Sequence, residues 1–228
     1  MVGVLAHVNL TLAQLVAEGL GVDVNKKLDP PLNMSVPADG DAKRFQPKPV
    51  RKPVETSSAL SMANTIKAGI KRRKVALLAA DGFQEHAVSE MKDALIAAGA
   101  QAKIIAPTLR SVKGKGGTEI KVDFSLLTAA SVIFDAIYVP DGEQSVDTLK
   151  YNGNALHFVN ETYKHRKAIA ASGAGAELLR VSCLASDGNW SAEGVIIGDE
   201  AGSIADGFIE AIAAHRHWGC ARKNQVPA

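Results

Sequence analysis

From Lys74 to Arg180 the chain alternates short, near-continuous apolar runs with segments whose apolar residues recur at helical spacing, and few folds accept that pattern. Val75 to Ala80 is an apolar run of strand length. Gln84 to Ala98 follows with Ala87, Val88, Met91, Leu95 and Ala98 on one helical stripe, stopped by Gly99. Lys103 to Ala106 ends at Pro107, and Ala136 to Val139 closes with Pro140-Asp141-Gly142. A helix predicted from about Asn154 to His165 precedes the apolar run Ala168 to Ala171, after which a Gly-rich turn delivers Ala176 to Arg180 as helix. The tail adds a strand, Gly194 to Ile197, and a helix from Ser203 to about His215. Apolar strands without polar alternation are buried on both faces, and strands joined by helices pair in parallel. The expectation is an α/β fold with a doubly wound, mostly parallel sheet, whose crevice lies at the carboxyl ends of the strands.

One segment breaks the alternation. Val112 to Val122 alternates around Gly114, Gly116 and Gly117 in the manner of a hairpin. Lys113-Gly114-Lys115-Gly116-Gly117 lacks the trailing Lys-Ser/Thr and the strand-loop-helix setting of a phosphate loop, so it reads as a turn.

The first third is of another kind. His7 to Gly21 predicts one short helix, with Asn9 as N-cap and Gly19 and Gly21 as stops. Pro30 to Lys52 holds five prolines and the basic residues Lys43, Arg44, Lys48, Arg51 and Lys52, a composition that buries too little surface to offset chain entropy and reads as a linker. A weak helical patch, Ser58 to Ile70, leads into Lys71-Arg72-Arg73-Lys74, read as a solvated run at the start of the first strand, with a phosphate or nuclear-import site as the alternative. The expected organisation is a helical portion at residues 1–29, a Pro-rich basic linker at 30–73 and an α/β domain at 74–228.

Composition removes several classes. The core of a chain that is 46% hydrophobic but only 5% aromatic must be built from Ala, Val, Ile and Leu. Basic residues are not interleaved with aromatics, and the formal charge is only +2, so no nucleic-acid partner is expected. Cys183 and Cys220 lie far apart and form neither a disulfide framework nor a zinc motif. No apolar run reaches membrane-span length, and Met1 to Leu10 lacks the layout of a signal peptide. Sequons at Asn9, Asn33, Asn160 and Asn189 suit an exported protein without requiring one, so location stays open. His86, His157 and His165 lack a third ligand at metal spacing, and His215 and His217 point in different directions, so no metal is expected.

The turn Ala170-Ala171-Ser172-Gly173-Ala174-Gly175, with the order of elements around it, resembles the DJ-1/PfpI family over about Lys74 to His215. That resemblance implies a flavodoxin-like fold whose members include deglycases, proteases and stress chaperones. It also implies a nucleophile, a cysteine in the family, at the position of Ser172, activated by a glutamate on the first helix. Counting back from Gly99 places that glutamate's position at Ala87, and Glu85, two residues earlier, points about 200° away around the helix. Serine needs an adjacent base to become a nucleophile, and only Asp187 stands in the loop that follows, so Ser172 is expected to be a turn residue. A flavin is not expected, because Asp81 and Glu85 in the first crevice loop repel phosphate.

Asn9-Leu10-Thr11-Leu12-Ala13-Gln14-Leu15-Val16-Ala17, followed by a Pro-rich connection and this domain, is similar to the end of large-subunit heme catalases. The resemblance implies that the chain is the C-terminal piece of such a catalase, whose heme, hydrogen peroxide chemistry and catalytic residues lie in a core absent from these 228 residues. Tyr138, Tyr151 and Tyr163 are then expected to pack and not to bind iron. The implied role is a stabilising and chaperone module without a cofactor of its own, with partly unfolded clients, the catalase core and other subunits of a tetramer as partners. The alternative is a residual hydrolase or glyoxalase using Ser172.

Overall fold

The computed structural model describes residues 2–24, 57–60, 68–182, 184 and 193–218. The expected linker from Pro30 to Lys52, both cysteines and Asp187 lie outside them. The chain divides into two compact units, Met1–Asn64 and Thr65–Ala228.

In the first unit the single expected helix is two, α1 (Val2–Val8) and α2 (Leu10–Leu20). Asn9 both separates and starts them, since its side chain accepts the Leu12 amide at 3.0 Å while its own amide still donates to the Leu5 carbonyl. Gly21, left-handed at φ 65°, ends α2, and Gly19 lies within the helix. Ala13 and Ala17 are buried, whereas Leu10, Leu12, Leu15 and Leu20 are exposed. The large apolar groups therefore point outward. Of the helical patch expected from Ser58 to Ile70, the described residues are a 3-10 turn, Ser58–Leu60, and residues 68–70, which are not helical.

The second unit is the expected α/β domain. Its strands and helices run β1 (Lys74–Leu78), α3 (Glu85–Ala97), β2 (Gln101–Ala106), β3 (Val112–Lys113), β4 (Glu119–Ile120), β5 (Phe124–Ser125), β6 (Ala136–Val139), α4 (Glu143–Lys150), α5 (Gly153–Lys164), β7 (Ala168–Ser172), α6 (Gly175–Val181), β8 (Val195–Gly198) and α7 (Ala201–Ala214). The main sheet is parallel, in the order β5-β2-β1-β6-β7-β8, and β3 and β4 form a separate antiparallel hairpin. Without the two-residue β5 at the edge, the strands run 2-1-3-4-5, the flavodoxin-like order. That order reverses between β1 and β6, so the crevice falls where their carboxyl ends meet.

Alternate residues of the strands serve two cores. Val75, Leu77, Ala136, Tyr138, Ala168 and Ala170 pack under α3 and α7, whereas Ala76, Leu78, Ile137, Val139, Ile169 and Ala171 pack under α4, α5 and α6. Small residues on β6 and β7 let helices lie close on both faces, which explains a core so poor in aromatics.

Candidate functional site

The crevice is built from three connections at the carboxyl ends of the strands: β1 to α3, β6 to α4, and the elbow from β7 to α6. Ser172 is the last residue of β7, and the chain leaves it through Gly173, left-handed at φ 49°. A side chain on Gly173 would lie 2.5 Å from the Asp141 carboxyl carbon, and one on Gly175 would lie 2.4 Å from the Val139 carbonyl oxygen. The glycines of the elbow thus let α6 start directly against the end of β6.

Ser172 is 0% exposed, and its hydroxyl belongs to a closed hydrogen-bond chain. The Asp141 amide donates to Ser172 Oγ at 3.2 Å, Ser172 Oγ lies 2.6 Å from Tyr138 Oη, and the Tyr138 hydroxyl donates to the Ala87 carbonyl at 3.3 Å. One direction satisfies every group: amide to serine, serine to tyrosine, tyrosine to helix carbonyl. The serine proton therefore faces a phenol and not a base. Ala87 enters this network only through its backbone, because its side chain is a methyl group.

Asp141 holds the rest of the crevice together. Its Oδ1 accepts the amides of Gly142 and Ala174, each at 2.8 Å, so the elbow amide that would face an oxyanion already carries a carboxylate. Its carbonyl accepts the Gln84 amide at 2.8 Å and joins the loop after β1 to the loop after β6. Gly142, at φ 138°, lies so close that an added Cβ would stand 2.6 Å from the Gly82 carbonyl oxygen and 2.7 Å from Phe83 Cα. At the switch point, protein backbone fills the space between the loops.

The hairpin β3–β4 covers the same region. The Gly82 amide donates to the Lys113 carbonyl at 2.7 Å and the Lys115 amide to the Phe83 carbonyl at 2.9 Å. Asp81 accepts the Lys113 amide at 2.9 Å and pairs with Arg110 at 3.2 Å, while Glu85 accepts the Gly116 amide at 2.6 Å and the Thr118 amide at 3.4 Å. The two carboxylates expected to repel a phosphate thus anchor the hairpin, and Glu85 faces away from Ser172. Hydrogen bonds from its own backbone amide and from Gly116 and Thr118 hold the Glu85 carboxyl below the ordinary value of 4.5. Its contribution is complete above that value and is lost as the pH falls through the lowered one. Glu85→Gln is expected to speed amide exchange at Gly116 and Thr118 about tenfold or more, measured by hydrogen–deuterium exchange, with little change at β6.

What stays open beside the elbow is a cavity of about 400 Å³ lined by Lys115, Glu143, Glu177 and Arg180 among others. Charges of both signs meet there, Arg180 pairs with Glu177, and Ser172 is not part of the wall.

The other candidate residues are dispersed. His86 is exposed and pairs with Glu90, and His157 on α5 and His165 at its C-cap are exposed. His217 is buried, with Nε2 at 3.0 Å from the Ala211 carbonyl oxygen in the last turn of α7. No cluster of three or more potential metal ligands occurs among the described residues. Of the tyrosines expected to pack, Tyr138 is fully engaged in the core and Tyr163 packs against it, but Tyr151 is 91% exposed at the end of α4.

Two buried groups set the alkaline behaviour. Burial, with Asp141 and Glu90 acting in the same direction, pushes the Tyr138 phenol up to about 12 from 10.0 against the bond from Ser172. The folded state keeps a proton that the unfolded chain releases, so stability from this group is complete below pH 10.0 and lost toward about 12. The loss is on the order of 2 kcal/mol. Lys167 acts in reverse: burial and then Arg216 hold it down to about 8 from 10.5, so its penalty is full below about 8 and fades as the pH approaches 10.5. Urea titrations across this range are expected to show stability rising and then falling, with the fall reduced in Tyr138→Phe.

With this geometry in place, comparison with known proteins is specific. The family described as the C-terminal domain found in long catalases matches residues 71–221. Catalase HPII of Pseudomonas aeruginosa is 34% identical over 215 residues, which is 94% of this chain and 27% of that protein. Catalase-2 of Bacillus subtilis is 34% identical over 221 residues, 96% of this chain and 28% of that protein. The chain thus spans little more than a quarter of the length of these relatives. Among solved structures, a mutant of a DJ-1 superfamily protein from Salmonella typhimurium is similar at 20% identity and a TM-score of 0.48, over 67% of this chain and 94% of that one. No helix among the described residues is long and apolar enough to cross a membrane.

Proposed function

The chain belongs to the family of C-terminal domains found in long catalases, and on that premise we propose that it is a stabilising and client-holding module with no reaction centre of its own. Residues 1–29 are the helical end of the catalase core, 30–73 the connecting linker and 74–228 the DJ-1-like domain. The parent enzyme decomposes hydrogen peroxide at a heme in its core, and this module steadies its tetramer. Released or exposed, it holds partly unfolded proteins.

The observation that carries the absence of a reaction centre is the closed chain Asp141–Ser172–Tyr138–Ala87 under crevice loops joined through their backbones. A serine at the nucleophile position that is sealed from solvent, and whose proton is committed to a phenol, lacks both substrate access and a base. Ser172→Ala is expected to lower stability by about 1–2 kcal/mol, because the Asp141 amide and the Tyr138 hydroxyl each lose a partner. It should leave turnover of esters and α-oxoaldehydes at the wild-type background. Wild-type turnover that vanishes in this variant would establish the hydrolase reading instead.

The holding role is supported by α2, which leaves Leu12 and Leu15 exposed on one side of the helix, about 60° apart, where they can meet other apolar surface. The test is light scattering from an unrelated enzyme during heating, with the chain added at rising ratio and an inert protein as control. Suppression near equimolar ratio, retained in Ser172→Ala and lost in Leu12→Glu/Leu15→Glu, is expected. No suppression at any ratio sinks the holdase and leaves the stabilising role within the parent.

A further inference from the structure

The opposite, amino edge of the sheet carries a cluster that the function above does not use. Strand register sets Val75 beside Ala136 and Ala136 beside Ala168, which brings Lys74, the first residue of β1, and Arg73, Asp135 and Lys167, each just before its strand, to neighbouring positions. The chain leaving α7 returns to the same edge. His215 adopts φ 71°, and the His217 amide donates to the Arg166 carbonyl at 2.9 Å, which fixes the segment carrying Arg216.

The charges there do not balance. Asp135 accepts Arg73 Nη1 at 3.0 Å and the Lys74 amide at 2.9 Å. Lys167, 5% exposed, donates to the carbonyls of Ser131 and Phe134, each at 2.7 Å, and so meets only neutral acceptors. Arg216, half-buried, donates to the His215 carbonyl at 2.9 Å, and no carboxylate among the described residues forms an ion pair with it. The carboxylate of Glu161, on α5, is held by Lys164 and His165. Three cations, Arg73, Lys167 and Arg216, thus share Asp135 in a place partly withdrawn from water, where like charges are poorly screened. Their mutual effect reaches Lys167, Arg216 and the neighbouring His215. Burial and then Arg216 hold Lys167 down, burial and Arg73 lower Arg216 against the pull of Asp135, and burial with Arg216 and Arg73 lowers His215.

We propose that this edge is an oxyanion-binding site, in which the guanidinium groups of Arg73 and Arg216 take a phosphate or carboxylate group beside the protonated Lys167. The fork of a guanidinium matches the paired oxygens of either group, and partial burial strengthens such bonds relative to open solvent. The oxyanion comes either as free phosphate or as an acidic side chain of a protein partner. It lies at the far end of the strands from Ser172 and uses none of the α2 leucines, so the site stands or falls apart from both the sealed crevice and the holding role.

The test is calorimetric titration of the purified chain with inorganic phosphate near neutral pH, with chloride at matched ionic strength as control. One saturable site and a rise in Tm beyond that given by chloride are expected. Arg216→Gln should weaken binding about tenfold or more, while the exposed flanking variant Arg72→Gln changes it less than about twofold. Circular dichroism checks that both variants fold. Displacement of phosphate by a glutamate-rich peptide assigns the site to a protein carboxylate, and failure to displace assigns it to free phosphate. Phosphate binding no stronger than chloride binding, or full affinity in folded Arg216→Gln, overturns the proposal.

Discussion

Tyr138→Ala is expected to destabilise the second unit by about 3–5 kcal/mol, the range for removing a fully buried aromatic from a close-packed core. Tyr138 stands in the central strand β6, packs 6.4 Å from the Phe208 ring and is among the largest side chains with no exposure. Its removal empties the space between the sheet and α7 and leaves the Ser172 hydroxyl without its acceptor. Tyr138→Phe separates these effects. It keeps the ring, loses only the hydroxyl, and should reduce stability by about 1–2 kcal/mol. Urea unfolding of both variants, followed by circular dichroism, measures the difference. Equal losses would show that the hydrogen-bond chain, and not packing, dominates at this position.

Gly142→Ala is expected to be nearly as damaging, at about 3 kcal/mol or more, although it adds a single methyl group. At φ 138° an L side chain is strained whatever its size, and the new Cβ would collide with the Gly82 carbonyl and Phe83 Cα, both rigid backbone. Neither loop can yield alone, because the Asp141 carbonyl and the Gln84 amide join them. Gly153→Ala is the control. That residue opens α5 with nothing near its would-be Cβ, so a change within about 0.5 kcal/mol is expected there. Comparable thermal shifts in the two variants would remove the argument that backbone contact closes the crevice.

Most of the strands and long helices were legible in the sequence because each carries its own period. Ala136 to Val139 is bounded in the structure as its apolar run suggests, and α3 buries Ala87, Val88, Met91 and Leu95 on the expected stripe. The helix α4 was not legible: Glu143–Lys150 offers only Val146 and Leu149 as large apolar residues, too few to show a period, and the buried Ser145 reads as polar. The strand β5 is two residues long and exists only by pairing with Ile105 and Ala106. In the site, Ser172 and Ala87 could be placed by counting along the chain. The partner of Ser172 could not, because Tyr138 meets it through the register that sets Tyr138 beside Ala170 two residues away, and register between parallel strands leaves no mark in either segment. Asp141 was visible only as part of a turn after a buried strand; its bonds to Ala174 and Gln84 span connections that no local pattern encodes.

The meeting of Gly142 with the Gly82–Phe83 backbone has a bearing on how relatives of this chain should be read. Because the loops join main chain to main chain, most side chains around them can drift without reopening the gap, and a reactive residue at position 172 would remain beneath a lid made of peptide groups. In an alignment of such domains, the position diagnostic of an open or a sealed crevice is therefore 142 and not 172. A side chain at the first requires the loops to stand apart, whatever occupies the second.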